Sequence, residues 1–131
     1  MIAEIQDYLR TSINDLHLFS TANVGALPAT GGISIQLGAG APTNEHFDRG
    51  GRYELYFSVN AKQTNQLIAL SALESIHKFL THMRYYQSGT DYQILNISTG
   101  TVPNYLGTES DGHLYLFGSI LRVTFYAKGI D

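Results

Sequence analysis

Residues 51–83 read GRYELYFSVNAKQTNQLIALSALESIHKFLTHM, and this stretch decides the fold. Apolar side chains first occur at every second position, at Tyr53, Leu55, Phe57 and Val59. A period of two predicts a half-buried strand with one apolar face. The period then lengthens to three or four residues and predicts an amphipathic helix with its apolar side at Leu67, Leu70, Leu73, Ile76 and Leu80. Since both elements have an apolar side to cover, we expect the helix to lie across a sheet that contains the strand.

The junction between this strand and helix supplies a candidate helix cap. Asn60 and Thr64 both carry a side-chain oxygen that can accept a hydrogen bond from the first free amides of the helix. We therefore expect one of these two residues to cap it.

Apolar periodicity marks four further elements along the chain. A first helix is indicated by Ile2, Ile5, Leu9, Ile13 and Leu16, and further strands are indicated at 33–37, 92–98 and 114–126. The stretches between the elements are rich in Gly, Pro and polar residues and are predicted as loops, namely 20–32, 38–51, 84–91 and 99–112.

This order of elements predicts an α+β fold, with the sequence helix, strand, strand, helix, strand, strand. We expect a single domain over residues 1–131, with a mostly antiparallel four-stranded sheet and both helices packed on one face. Strand 33–37 is expected to pair with 53–59, and 92–98 with 114–126. Gly118 and Ser119 are the expected place for a bulge or a bend in the last strand.

Composition and charge restrict the function. The 131 residues are 44% apolar, and eight basic and eleven acidic residues give a net charge of −3. This balance argues against a module that grips phosphates, although DNA could still pass along such a surface. The absence of cysteine excludes disulfides and thiolate metal sites. No apolar run has membrane-spanning length, and the acidic first residues are unlike a signal peptide, so we expect a cytoplasmic protein.

Three stretches resemble chemical motifs without matching them. His77 and His82 are five residues apart, where a helical zinc pair needs a spacing of four. The glycines of the 38–51 loop do not match a phosphate-binding motif. In the same loop, Glu45, His46, Asp48 and Arg49 place acid and base groups together without a paired nucleophile. We predict no catalytic residue, cofactor or metal site. A small ligand-binding or hydrolytic domain that uses the 38–51 loop remains an alternative.

The aromatic residues provide a second set of candidates. The chain has nine tyrosines, six phenylalanines and no tryptophan, and Tyr85, Tyr86 and Tyr105 fall in predicted loops. An aromatic side chain in a loop can anchor a protein interface, or it can pack over the edge of its own core. The first arrangement would also fit a monomeric adaptor that binds one partner.

Three segments together resemble a known family. Residues 47–62 read FDRGGRYELYFSVNAK, residues 67–80 read LIALSALESIHKFL, and residues 115–128 read YLFGSILRVTFYAK. They resemble the small minor capsid proteins of long-tailed bacteriophages and prophages, which are similar to tail terminator, or tail completion, proteins. In that family an aromatic-Asp-Gly turn leads into a strand and a helix, and a strand of aromatic and β-branched residues ends the chain.

The resemblance implies a structural protein of the virion without enzymatic activity. Such a subunit would assemble in the host cytoplasm into a hexameric ring that caps the tail tube at its head-proximal end. The ring would stop tube growth, contact the tail tube protein and the head-completion or connector protein, and let DNA pass through its central hole without specific binding. By their position, Asp48, Arg49 and Arg52 are candidates for one contact surface between subunits, and a solvated turn is their alternative.

Overall fold

The strand and the helix predicted within residues 51–83 both form. The computed structural model of the protein describes residues 2–38, 50–109 and 113–128. Its elements, in chain order, are α1 (Ile2–Asn14), β1 (Ala22–Val24), β2 (Gly32–Leu37), β3 (Gly51–Gln63), α2 (Gln66–Thr81), β4 (Tyr92–Thr108) and β5 (Tyr115–Ala127).

The five strands form one mixed sheet in the order β1-β2-β3-β5-β4. β3 and β5 pair antiparallel at its centre, with an unbroken register from Gly51 opposite Ala127 to Gln63 opposite Tyr115. β2 pairs antiparallel with β3, and β4 pairs antiparallel with β5, which confirms both predicted pairings. β1 is the exception because it runs parallel to β2.

The predicted four-stranded antiparallel sheet is therefore wrong, while the α+β class is correct. The additional strand, β1, lies in the 20–32 stretch predicted as a loop. Three residues are too few to show a period, and only Ala22 among them is buried. Pairing fixes β1 instead, together with the Asn14 side chain at the end of α1, whose Oδ1 accepts a hydrogen bond from the Ala22 amide at 2.7 Å.

The predicted 99–112 loop is also wrong over most of its length, because β4 continues to Thr108. β4 has 17 residues and β5 has 13, and their register shifts at four places, each of which adds a residue on the β4 side. Gly100 and Pro103 signalled a loop, but an edge strand that pairs on one side only tolerates both.

The bulge expected at Gly118 and Ser119 is absent from β5, since both residues keep their register with β3. Gly118 instead permits close packing. A Cβ atom there would lie 2.6 Å from Leu106 Cδ1 and 2.9 Å from Asn60 Oδ1. The irregularity therefore falls on the edge strand, and the central strands stay regular.

The hydrophobic core lies on one side of the sheet, which we call the inner face. Alternate β3 residues such as Leu55, Phe57 and Val59 have no exposed surface. Both helices contribute to the same buried cluster, through Ile5, Leu9 and Ile13 of α1 and Leu73, Ile76 and Leu80 of α2. The packing of two helices on one face of the sheet follows from these burials.

The first turn of α2 differs from the prediction in two ways. Its cap is Asn65, whose Oδ1 accepts hydrogen bonds from the amides of Leu67 and Ile68 at 2.9 and 3.4 Å. Asn60 does not cap the helix because β3 extends beyond it to Gln63. Leu67 was expected in the core but is 72% exposed, because the buried side of α2 runs through Ala69, Ala72, Leu73, Ile76, His77 and Leu80.

Two leucines of α2 therefore provide a matched test of this packing. We expect Leu73→Ala to lower the free energy of unfolding by about 2–5 kcal/mol, because it empties space in the core. Leu67→Ala, in the exposed first turn, should change it by less than about 0.5 kcal/mol. Urea unfolding at low protein concentration measures both values, and equal losses would contradict the helix orientation.

Candidate functional site

The charged residues predicted at the start of β3 are only partly within the described structure. Asp48 and Arg49 lie outside the described residues, as does most of the 38–51 loop, namely residues 39–49. Arg52 is exposed and lies on β3 opposite Tyr126 of β5. Arg52 is therefore the one residue of the predicted charged patch that lies within the described structure.

Tyr85 and Tyr86 lie next to each other in the connection between α2 and β4 but have different environments. Tyr85 is 81% exposed. Tyr86 is half-buried, and its hydroxyl donates a hydrogen bond to the Leu80 carbonyl at 2.7 Å. Burial also raises the pKa of Tyr86 above its ordinary value. Tyr86 thus packs against its own core, whereas the Tyr85 ring extends into solvent.

Tyr105 lies on β4 and not in a loop. Its ring packs edge-on against Phe117 at 5.6 Å between centroids, and its hydroxyl is 2.5 Å from Thr108 Oγ1. It pairs near one end of β5, while the connection that carries Tyr85 leads into β4 at the other end. The ends are roughly 30 Å apart at the usual rise per residue, so the three tyrosines do not form one site.

The face of the sheet opposite the core is covered by neither α1 nor α2. Because side chains alternate along a strand, every second residue of β3 and β5 points to this side. Three cross-strand pairs in the half of the β3–β5 ladder that begins at Gly51 define what we call the open face: Arg52 with Tyr126, Glu54 with Thr124, and Tyr56 with Arg122. Two arginines and two tyrosines thus lie side by side on the two central strands of the sheet.

Contacts within the open face hold its polar side chains in place. The Tyr56 hydroxyl donates a hydrogen bond to Glu54 Oε2 at 3.0 Å. Arg122 Nε donates to Ser98 Oγ of β4, also at 3.0 Å. Tyr56 and Tyr126 keep 37% and 46% of their surface exposed. The two aromatic rings are therefore partly accessible, while Glu54 and Arg122 each have a hydrogen-bond partner within the sheet.

The sequence interpretation missed Arg122, Tyr56 and Tyr126 as site residues. The available signal was the alternation in the last strand, where Arg122, Thr124 and Tyr126 interleave with apolar residues. Alternation shows that these three residues share one face of β5. It does not show that they lie beside Arg52 and Tyr56, because that depends on the β3–β5 register.

An ion pair between a buried lysine and a partly exposed glutamate lies near one end of the sheet. Lys62 of β3 is 8% exposed, and its Nζ is 2.5 Å from Glu109 Oε1, directly after β4. The paired carboxylate compensates a lysine that would otherwise be costly to bury. The contact links a central strand to the end of the edge strand.

His77 connects α2 to β4. Its Nδ1 is 2.9 Å from Thr99 Oγ1, and its buried Nε2 has no hydrogen-bond partner in the described part of the chain. Burial lowers the pKa of His77, because the charged ring would lose its hydration. His82 is exposed, and its Nδ1 is 2.8 Å from the Lys78 carbonyl oxygen. The spacing of five thus places the two rings in different environments.

Neither a metal-binding cluster nor a membrane-spanning helix occurs among the described residues. No group of three or more His, Cys, Asp and Glu side chains is arranged to hold a metal ion. Within residues 2–38, 50–109 and 113–128, no helix is both long and apolar enough to cross a bilayer.

Comparison with known proteins gives no family for the chain: no protein-family model matches it, and a search of curated proteins finds no significant match.

The environment of His77 predicts a pH-dependent stability. Because its pKa is lowered in the folded state, the unfolded chain binds the proton at a higher pH than the folded chain does. The contribution of His77 is fully present above the ordinary pKa of 6.5 and is lost as the pH falls below it. We expect His77→Gln to reduce the loss of unfolding free energy between pH values of about 7.5 and 5.5.

His82→Gln is the matched control, since this residue is exposed at the end of the same helix. Denaturant unfolding at several pH values should give the wild-type slope for His82→Gln and a shallower slope for His77→Gln. A wild-type slope in both variants would mean that His77 does not titrate as described.

Proposed function

We propose that this chain is a structural assembly protein whose copies join head to tail into a closed ring, of the kind that caps the tail tube of a long-tailed bacteriophage. The observation that carries the proposal is the one-sided layering of the molecule. Both helices pack on the inner face, and the open face carries Arg52, Arg122, Tyr56 and Tyr126. Arginine and tyrosine are enriched at the energetic centres of protein interfaces.

One-sided layering supports a ring because it gives each subunit two unlike surfaces. A cyclic assembly uses a heterologous contact, in which one patch of a subunit meets a different patch of the next. A helical surface and a sheet surface that neither described helix covers meet this requirement on the same subunit. A symmetric dimer, in contrast, would need only one self-complementary patch.

The irregular edge strand β4 favours association of subunits through side chains and disfavours association through strand pairing. Four register shifts and Pro103 interrupt the row of backbone groups that another strand would need. Growth by continuous addition of strands is therefore hindered at this edge. Association through side-chain surfaces produces a defined contact angle, which a closed ring requires.

Charge and exposed residues are compatible with the other parts of the proposal. A net charge of −3 gives a ring opening little attraction for phosphate, so that DNA would pass without being held. Tyr85, at 81% exposure, is available for contact with a tail tube protein or a head-completion protein. The resemblance of residues 47–62, 67–80 and 115–128 to minor capsid proteins leads to these particular partners.

The native mass of the purified protein tests this proposal directly. We expect light scattering over a wide concentration range to show closed assemblies of about six subunits, and negative-stain images of the same sample to show rings. Association should follow mass action, with smaller species at high dilution. A monomer at every concentration, or an open filament, would contradict the ring.

A further inference from the structure

A groove runs along α2, between this helix and the residues that follow α1. Two neighbouring cavities form it, and Ser75 lines both of them. The first cavity, of about 310 Å³, lies beside the first half of α2, and the second, of about 420 Å³, lies beside the second half. We call the two cavities together the helix groove. Both cavities are open to solvent, so the groove can admit a segment of another molecule.

The turn that ends α1 builds the wall of the groove opposite α2. His17 has a φ of 52°, a left-handed backbone conformation that does not continue a helix. After this turn, Leu18 and Phe19 line the first cavity, while Leu16, just before it, lines the second. The wall across from α2 is therefore aliphatic and aromatic.

Large apolar side chains remain exposed in the first cavity. Leu67 and Ile68 line it from α2, and Phe19 lines it from the opposite wall. All three side chains are exposed. A cluster of exposed apolar side chains in a concave surface is typical of a site that binds another molecule.

The second cavity places basic side chains at one end of the groove. Leu16, Phe79 and Met83 supply its apolar lining, and Lys78 and His82 supply its basic groups. Among the described residues, no Asp or Glu lines either cavity, and Lys78 forms no ion pair. A molecule that fills the groove is therefore favoured by carboxylates at this end and by apolar groups along the rest.

The dimensions of the helix groove fit an α-helix. The α2 residues that line the first cavity are centred near Ser71, and those that line the second are centred near Phe79. These centres are about 12 Å apart, at a rise of about 1.5 Å per residue. Positions i and i+7 of a partner helix share one face at a similar distance of about 10 Å. Between the centres, the small side chains of Ala72 and Ser75 allow two helices to approach closely.

We infer that the helix groove binds an amphipathic helix of a different protein, whose apolar face fills both cavities and whose carboxylates lie over Lys78 and His82. In this mode of recognition, spaced apolar side chains of the bound helix enter a row of cavities in the groove. The inference does not rest on the proposed ring, because the helices that form the groove and the open face lie on opposite sides of the sheet.

A second copy of this chain is a poorer occupant of the groove. Its open face would bring Arg52 and Arg122 towards Lys78, and charges of the same sign repel. Its two described helices already bury their apolar sides in their own core. A helix with a free apolar face is therefore expected from another protein.

Synthetic peptides test the groove and its charge preference. The acidic peptide has about 16 residues, with leucines at positions i, i+4, i+7 and i+11, and alanine and glutamine at most others. Three glutamates occupy its first turn or, in a second version, its last turn, so that both directions of the bound helix are tested. One comparison peptide carries lysines in place of the glutamates. Another has the same composition as the acidic peptide, with the leucines spread around the helix.

Fluorescence anisotropy of labelled peptides measures their binding to the purified full chain. We expect the tighter version of the acidic peptide to bind at least about tenfold more tightly than either comparison peptide. Leu67→Asp with Ile68→Asp should weaken this binding by at least about tenfold, because carboxylates then lie in the apolar cavity. Aspartate is compatible with the first turn of a helix, so α2 should still form. Lys78→Glu should reverse the preference, so that the lysine peptide binds more tightly than the acidic one.

Matched controls make the same kinds of change outside the groove. Val102→Asp alters an exposed apolar residue of β4, and Arg52→Glu reverses a charge on the open face. Both controls should bind the acidic peptide within about twofold of the wild-type protein. Circular dichroism and thermal melting establish that every variant is folded. Should the double substitution unfold the chain, Leu67→Asp alone makes the same test at an exposed position.

The outcomes separate this inference from the proposed ring. No binding of the acidic peptide below about 1 mM, or equal binding of all peptides, would overturn the inference. Binding that survives the substitutions at Leu67 and Ile68, or that Arg52→Glu abolishes, would overturn it as well, because the peptide would then occupy another surface. The native mass of the wild-type protein tests the ring independently. A monomer that binds the acidic peptide as described would support the inference and overturn the ring.

Discussion

The uninterrupted pairing of β3 with β5 is the constraint on which the rest of the structure depends. Each residue from Gly51 to Gln63 has a partner on β5, so the alternation of the two strands stays in phase over their whole length. One side of the pair is apolar and is buried under both helices. The other side brings Arg52, Tyr126, Tyr56 and Arg122 together. A shift of one residue would exchange the two sides, and both the core and the open face would be lost.

The proposed ring extends the asymmetry of the fold to the contacts between subunits. Within one subunit, both helices cover the inner face of the sheet, and their charged residues face solvent. Between subunits, the proposed ring would bring the open face of one copy against a different surface of the next copy. Hydrophobic burial thus determines the fold, while the contact proposed between copies relies mainly on the arginine and tyrosine side chains of the open face. Such contacts give orientation and specificity more than raw affinity.

Elements whose apolar periodicity continues over many residues were predictable from the sequence. Elements that depend on pairing with a neighbouring strand were not. The β3 and α2 patterns extend over several repeats, and the sequence correctly placed both and two of the strand pairings. β1 has three residues and no period, and β4 contains Gly100 and Pro103, which resemble a loop until the strand is known to lie at an edge. For the site, Arg52 and Tyr85 were predicted, and both side chains are exposed. Arg122 was missed because its neighbours belong to a strand about seventy residues earlier, and no local pattern shows the register.

The four added residues of β4 have a consequence for how the gene can change. In β3, an inserted or deleted codon would turn every later side chain to the opposite face and place charges in the core. In β4, each bulge already accommodates one additional residue while the pairing resumes on either side. We therefore expect an additional residue to be easier to accommodate at this edge than in the centre. We expect the length of β4 to vary more between related sequences than the lengths of the central strands β3 and β5.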